Sequence, residues 1–132
     1  MELLNECRLL FTSVTVPPLL NGLLLSFKLA GGILLASLVA GTILALLKTY
    51  AGKIIGAVVT IYVEIFRNTP ILFWITVCFI ALPVGNQYIR ASAGLFLAST
   101  ATICEIVRGG LNSIGKGQIE AGKSQGLSRL QI

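Results

Sequence analysis

Long apolar blocks separated by short polar segments dominate this sequence. A bilayer core of roughly 30 Å needs about 20 consecutive apolar residues in a helix. We predict membrane spans near residues 22–47, 54–83 and 92–107. Residues 1–21 carry glutamates where a cleavable signal peptide would be basic, and we expect them to form an external lead-in. The pattern therefore predicts an all-α, multi-pass transmembrane helical bundle.

The second apolar stretch is too long for one straight span, because about 30 helical residues measure about 45 Å. We predict a break at residues 67–70, with Pro70 in the first turn of a new helix and Asn68 or Thr69 capping it. The effective span then runs roughly over residues 64–82. Small residues in the first span should let neighbouring helices approach closely; they are Gly31, Gly32, Ala36, Ala40 and Gly41.

Composition and charge agree with a membrane protein. The chain is 55% hydrophobic and 11% charged, whereas soluble domains carry about 25% charged residues. The net charge is +5, but the basic residues cluster between apolar blocks, where they act as topology signals, so we expect no nucleic-acid partner. One side would carry Lys48, Lys53, Arg108, Lys116, Lys123 and Arg129, and the other Arg8, Lys28 and Arg90. The positive-inside rule then places the N-terminus outside and residues 108–132 in the cytoplasm.

The sequence lacks the residue sets that enzymes and metal sites need. It has no histidine, and Cys7, Cys78 and Cys104 are far apart without any CxxC pair. No serine or cysteine has a base partner, and no G-x-x-x-x-G-K-[ST] loop is present. We therefore expect no catalytic residue, no metal site and no cofactor bound by this chain.

The polar segment 108–132 follows directly on the last apolar run and is rich in small, helix-forming residues. We predict two helical pieces in it. Gly126 would end the first piece, and the S-x-x-Q spacing of Ser128 and Gln131 is typical of a capping box for the second. Such a segment indicates a surface that a partner outside the membrane binds.

Five segments carry a resemblance to one family of permeases. Residues 22–29, GLLLSFKL, look like its G-x-x-x-T-L-x-L opening, and residues 62–72, YVEIFRNTPIL, are similar to Y-V-E-x-F-R-G-T-P-L-L. Residues 104–111, CEIVRGGL, resemble A-E-x-x-R-G-G-I, and residues 113–121, SIGKGQIEA, match S-I-P-K-G-Q-x-E-A. Residues 117–128 resemble the "EAA" loop. The chain thus resembles the polar amino-acid (histidine/glutamine/arginine-type) MetI-like permease subunits of ATP-binding-cassette (ABC) importers.

The resemblance implies a fold, partners and a location. Residues 22–132 would be the N-terminal part of a MetI-like permease domain in the bacterial plasma membrane, C-terminally truncated because such permeases typically have five spans. Its partners would be an ABC ATPase that binds the ATP, a periplasmic or surface solute-binding protein, a second permease subunit and membrane lipid. The segment 108–132 would be the cytoplasmic loop that couples to the ATPase.

The coupling residues that the resemblance implies share one short stretch of this loop; they are Gly117, Gln118, Glu120, Ala121, Gly122 and Gly126. Two residues depart from the family pattern. Gly115 replaces the usual proline, and Gly122 replaces the second alanine of Glu-Ala-Ala. Each glycine weakens a helix by up to about 1 kcal/mol relative to alanine, but Gly122 keeps the small side chain that a close docking contact needs.

Charged residues within the spans have two interpretations each. Glu64 and Arg67 lie three residues apart on one helix face and can form a structural ion pair, or they can line a substrate pathway. Glu105 can either meet the amine of a substrate or pair with Arg108. Besides an importer permease for polar amino acids or related small solutes, the sequence leaves open a non-transporting membrane scaffold and an inactive permease fragment.

Overall fold

The computed structural model describes residues 16–83, 85–128 and 131. In this part the chain forms helices and no strands: α1 (Val16–Tyr50), α2 (Lys53–Asn68), α3 (Ile71–Ala81), α4 (Gln87–Ser113) and α5 (Lys116–Ser124). The helices α1 and α4 are each long and apolar enough to cross a membrane, and α2 with α3 passes the same test as a bent pair. The predicted all-α bundle with several spans is confirmed.

The helices differ from the predicted spans at their ends. The helix α1 includes residues 16–21, whereas the rest of the predicted lead-in, residues 1–15, lies outside the described residues. Asn86 starts α4 by accepting a hydrogen bond from the Ile89 amide at 3.0 Å, as an N-cap residue does. Arg90 is therefore already helical. At the other end, α4 continues past Arg108 as far as Ser113.

An elbow of 103° separates α2 from α3, so the break predicted at residues 67–70 is confirmed. The predicted side-chain cap is wrong. Pro70 is itself the N-cap of α3, with no side-chain cap hydrogen bond. Proline pushes the preceding residue into an extended backbone, and Thr69 has φ −106° and ψ 137°. Its hydroxyl donates backwards to the Ile65 carbonyl at 2.9 Å, so it closes the end of α2 and leaves α3 uncapped.

Aromatic side chains fill the inside of the elbow. Phe66 of α2 stacks on Trp74 of α3 with ring centroids 4.2 Å apart, and Tyr62 lies 4.7 Å from Phe66. Such ring pairs contribute about 1 kcal/mol beyond their buried area. The Tyr62 hydroxyl also donates to the Leu97 carbonyl of α4 at 2.7 Å. The elbow is therefore held by contacts on both of its arms and against α4.

Small residues bring α1 close to α4. Ser37, Gly41 and Ala45 recur every four residues and are buried. A Cβ on Gly41 would lie 2.7 Å from Ile103 Cγ2. Of the small residues singled out in the sequence, Gly41 is at this contact, whereas a Cβ on Gly31 or Gly32 would meet nothing within 4 Å.

Glycine also sets the contact between α3 and α4. A Cβ on Gly94 of α4 would collide with the Trp74 carbonyl and lie 2.6 Å from the Ile75 backbone nitrogen. The α3 backbone therefore rests directly on α4. On the outside of the bundle, α1 exposes large apolar side chains such as Leu23, Phe27 and Leu35, which suit a surface facing lipid.

The buried core lies where α1, α2 and α4 meet. It consists of Ala45, Val59, Val63, Ala101 and Cys104. The next residue along α4 is Glu105, and Lys48 follows Ala45 by one turn of α1. The apolar core thus ends at a group of charged side chains.

Candidate functional site

Glu105 gathers charged side chains from all three helices that meet at the core. Lys48 of α1 forms an ion pair with its Oε1. Arg108, one turn further along α4, places Nε 3.3 Å from the same oxygen. Arg67 of α2 places Nη1 3.7 Å from Oε2. These four residues are called the Glu105 cluster below, and they join α1, α2 and α4 through one carboxylate.

The cluster has an inner and an outer part. The side chains of Lys48 and Glu105 are 11% and 19% exposed, whereas those of Arg67 and Arg108 are 46% and 38% exposed. Breaking a pair withdrawn from solvent leaves an uncompensated charge, which costs far more than breaking an exposed pair. Lys48 and Glu105 therefore form the more buried pair, and the two arginines are the more exposed members of the cluster.

The structure contains one of the two predicted ion pairs. Of the two interpretations of Glu105, its pairing with Arg108 is present. The predicted Glu64–Arg67 pair is absent. Within the described ranges Glu64 has no ion pair, because Arg67 is directed to Glu105 on the neighbouring helix. Sequence reasoning named Lys48 only as a charge of the predicted cytoplasmic side and missed its pairing with Glu105, since 57 residues separate the two. Its position at the end of the first apolar run was the one available signal.

A cavity of about 300 Å³ opens beside the cluster, called the Glu105 cavity below. Its lining residues are Lys48, Thr60, Val63, Glu64, Arg67, Asn68, Glu105 and Arg108. A second cavity of about 330 Å³ lies along the elbow and is lined in part by Ala98 and Thr102 of α4. Arg67 and Asn68 line both cavities. The two spaces therefore adjoin at the end of α2.

The implied coupling residues lie on or just after α5. The helix carries Gly117, Gln118, Glu120, Ala121 and Gly122, and none of its residues is buried. Two residues with extended backbones, Ile114 and Gly115, connect it to α4. The structure thus holds a short polar helix outside the bundle, directly after the span that carries Glu105.

Gly126 ends α5, as the sequence predicted. Its φ of 77° lies in the left-handed region, which glycine adopts without the strain of a Cβ. The Gly126 amide donates to the Lys123 carbonyl at 3.0 Å, and the Leu127 amide donates to the Gly122 carbonyl at 3.1 Å. This pair of bonds is a Schellman motif.

The predicted second helix of the polar segment falls largely on residues 129, 130 and 132, which lie outside the described residues. One bond of the predicted capping box is present. The Ser128 amide donates to Gln131 Oε1 at 2.9 Å.

Metal-binding residues do not come together in the part of the chain that the structure describes. No group of three or more His, Cys, Asp or Glu side chains there is placed to hold an ion. Cys78 and Cys104 are buried and free.

Comparison with known proteins identifies the family. Residues 32–132 match the family described as "Binding-protein-dependent transport system inner membrane component". The chain belongs to this family. The permease resemblance that the sequence motifs indicated is therefore confirmed.

Two relatives of this chain are named as amino-acid permeases. The chain is 35% identical over 115 residues to the probable glutamine ABC transporter permease protein GlnP of Bacillus subtilis (strain 168), covering 84% of this chain and 53% of that protein. It is 31% identical over 117 residues to the arginine transport system permease protein ArtQ of the same organism, covering 85% and 53%.

A solved structure shows the same fold in this permease family. It is described as "Crystal structure of an amino acid ABC transporter with histidines", with a TM-score of 0.78 and 27% identity. The match covers 91% of this chain and 58% of that one. The chain thus spans little more than half the length of the permeases it resembles.

Proposed function

We propose that this chain supplies the first spans of a permease subunit in an ABC importer for polar amino acids, and that α5 couples these spans to a separate ATPase. The observation that carries the proposal is α5 itself. It is a polar helix with no buried residue, joined by two residues to a membrane span of a permease family member. A helix this short is marginal alone in water, so a docking partner would account for its position outside the bundle.

The surface of α5 suits close docking. Gly117, Ala121 and Gly122 have little or no side chain, so another backbone can approach them closely. The Glu120 carboxylate is exposed, and in the described residues it takes part in no ion pair, so it is free to meet a donor on the ATPase. We propose that ATP is bound by that partner and that this chain binds none.

Basic residues support a cytoplasmic position for α5. Lys48 and Lys53 flank the turn between α1 and α2, and Lys116 and Lys123 lie on α5. By the positive-inside rule, this end of the bundle faces the cytoplasm. A solute-binding protein would then deliver the amino acid at the opposite end, and a second permease subunit would complete the pathway within the membrane.

The mechanism requires a bundle with two states and an ATPase that favours one of them. ATP binding would displace α5, and α4 would carry that displacement to the Glu105 cluster. Because the cluster joins α1, α2 and α4, the three helices would move together between outward-open and inward-open states.

Cross-linking tests the coupling. In the assembled importer, Ala121→Cys should cross-link to the ATPase, and the yield should change when nucleotide is added. Lys123→Cys is the matched control, since it lies on the same helix about 200° further round and should react less. Absence of any nucleotide-sensitive cross-link from Ala121→Cys in an active importer would overturn the proposal.

Labelling of intact cells tests the orientation separately. In a chain whose native Cys7 is replaced by serine, a membrane-impermeant thiol reagent should label Gln87→Cys at the start of α4 and leave Lys123→Cys unlabelled until the cells are opened. Labelling of Lys123→Cys in intact cells would place α5 outside and exclude a cytoplasmic ATPase as its partner.

A further inference from the structure

A groove with one cationic side chain and an apolar wall lies between α1 and the start of α4, at the end of the bundle away from α5. It measures about 480 Å³ and is called the Lys28 groove below. We infer that it binds one anionic phospholipid, with the phosphate of a phosphatidylglycerol headgroup at Lys28 and an acyl chain along the apolar wall. The groove shares no lining residue with the Glu105 cavity, so the two sites are separate.

Lys28 lies at the depth where lipid headgroups would be. Residues 29–47 carry no charge, and Lys48 follows them on the same helix. From Lys28 to Lys48 the helix advances about 30 Å, which equals the thickness of the hydrocarbon core. With Lys48 at one interface, Lys28 is therefore at the other. Tyr88, which is 43% exposed, lines the groove beside it, and tyrosine is enriched at membrane interfaces.

The positive charge of Lys28 has no acidic partner in the groove. The described residues that line it include no Asp or Glu, and the ion pairs of the described chain do not involve Lys28. The N-terminus of α4 adjoins the groove and adds partial positive charge. Asn86 Oδ1 accepts from the Ile89 amide, which leaves the Asn86 NH2 group as a donor. The lining therefore offers a cation and polar donors to an anion.

The rest of the α1 wall is apolar. Leu25, Leu29 and Ile33 follow one face of the helix at spacings of four residues. Gly32 leaves open space between this face and α4, because a Cβ there would meet nothing within 4 Å. From Lys28 to Ile33 the helix advances about 8 Å towards the middle of the bilayer. The groove can therefore hold the upper part of an acyl chain while the phosphate stays at Lys28.

An anionic lipid suits this lining better than a zwitterionic lipid or a protein helix. The single cation of the groove balances the single negative charge of phosphatidylglycerol. A choline or ethanolamine headgroup would bring its own positive charge close to Lys28, which repels it. An apolar helix seated here would withdraw Lys28 from water without giving it an acceptor, and burial of an unpaired charge is costly. The charge of Lys28 therefore selects the lipid.

Native mass spectrometry of the purified chain in detergent tests the inference. Phosphatidylglycerol and phosphatidylcholine with the same acyl chains are titrated in separate samples, and the bound lipids are counted per chain. The first phosphatidylglycerol should bind about fivefold more tightly than phosphatidylcholine, which is the effect of one lysine near a membrane surface. Lys28→Gln should abolish this preference. Lys28→Arg should keep it, because the charge remains.

Matched variants separate the groove from general effects. Gly32→Leu should fill the groove and lower the affinity for phosphatidylglycerol. Gly31→Leu is its control, since a Cβ at either glycine meets nothing within 4 Å but only Gly32 lines the groove. Lys123→Gln removes the same charge from α5 and should leave the lipid preference unchanged. Far-ultraviolet circular dichroism should show wild-type helicity for each variant, and the exposed Lys28 keeps the test valid where a leucine variant fails to fold.

Several results would overturn the inference. They are equal affinity of the wild-type chain for both lipids, an unchanged preference in Lys28→Gln, and equal losses in Gly31→Leu and Gly32→Leu. Displacement of the lipid by glycerol 3-phosphate would show that a phosphate binds without an acyl chain. A dimer that excludes the lipid and is weakened by Gly32→Leu would assign the groove to a second copy of the chain. The measurement needs neither an ATPase nor an amino acid, so its outcome is independent of the coupling role of α5.

Discussion

Lys48 at the end of α1 and Glu105 near the end of α4 form an ion pair across 57 residues of sequence. Arg67 and Arg108 approach the same carboxylate from α2 and from the next turn of α4. One carboxylate therefore attracts positively charged side chains from three helices. The consequence is that Glu105 cannot be changed without affecting contacts on all of them.

Breaking the Lys48–Glu105 pair should destabilise the bundle. Lys48→Met and Glu105→Gln should each lower the free energy of unfolding by about 2 kcal/mol, because each leaves a charge of the other residue partly withdrawn from water. The double variant should lose less than the sum of the single losses. Unfolding in mixed detergent and SDS micelles, followed by circular dichroism, measures all three. Additive losses would mean that the pair is not formed.

Gly94 should tolerate no side chain. Gly94→Ala places a methyl group against the Trp74 carbonyl, so α3 must move away from α4, at a cost of about 2 kcal/mol. Gly32→Ala is the matched control, because its methyl group meets nothing within 4 Å and alanine favours a helix. Equal thermal stabilities of the two variants in detergent would show that α3 does not rest on α4 in this way.

The Tyr62 hydroxyl should stabilise the contact between α2 and α4. Tyr62→Phe removes its 2.7 Å hydrogen bond to the Leu97 carbonyl and should cost about 1 kcal/mol. Tyr50→Phe removes a hydroxyl from a residue that is 72% exposed and should cost nothing measurable. The same unfolding assay compares the two, and a neutral Tyr62→Phe would contradict the bond.

Gly126 should be needed for the end of α5. Gly126→Ala puts a Cβ at φ 77° and should destabilise the Schellman motif by about 1 kcal/mol. The effect is local, so the readout is hydrogen exchange of the Leu127 amide, which donates to Gly122. Exchange should be faster in the variant. Unchanged exchange would show that this turn does not depend on the left-handed backbone.

Gly115 should accept the proline that the family pattern has at this place. Its φ is −63°, which proline adopts, and Ile114 before it is extended with ψ 113°, as a residue before proline prefers. Gly115→Pro should slow exchange of the first α5 amides by restricting the unfolded segment. Faster exchange in this variant would mean that the connection has another conformation.

Local backbone chemistry made some features predictable. Pro70 marked the elbow and Gly126 marked the end of α5, because the backbone restrictions of these residues act within a few positions. The capping role of Thr69 failed for a related reason. Pro70 restricts Thr69 to an extended backbone. In that conformation the threonine hydroxyl donates to the Ile65 carbonyl of α2 and does not cap an amide of α3.

Contacts between helices were the part that the sequence did not reveal. Arg67 has Glu64 one turn away, but its partner is Glu105 on another helix. Which faces of α1 and α3 lie against α4 depends on the small residues Gly41 and Gly94, whose close contacts cannot be told from those of any other glycine in an apolar run.

The connection between α4 and α5 has little slack. Ile114 and Gly115 are already extended, and two residues reach at most about 7 Å. A larger shift of α5 must therefore pull on the last turn of α4 itself. Ser113, at that end, is about two turns from Glu105. A longer, flexible connection would allow α5 to move with its partner without moving α4. The two-residue connection in this chain is too short for that.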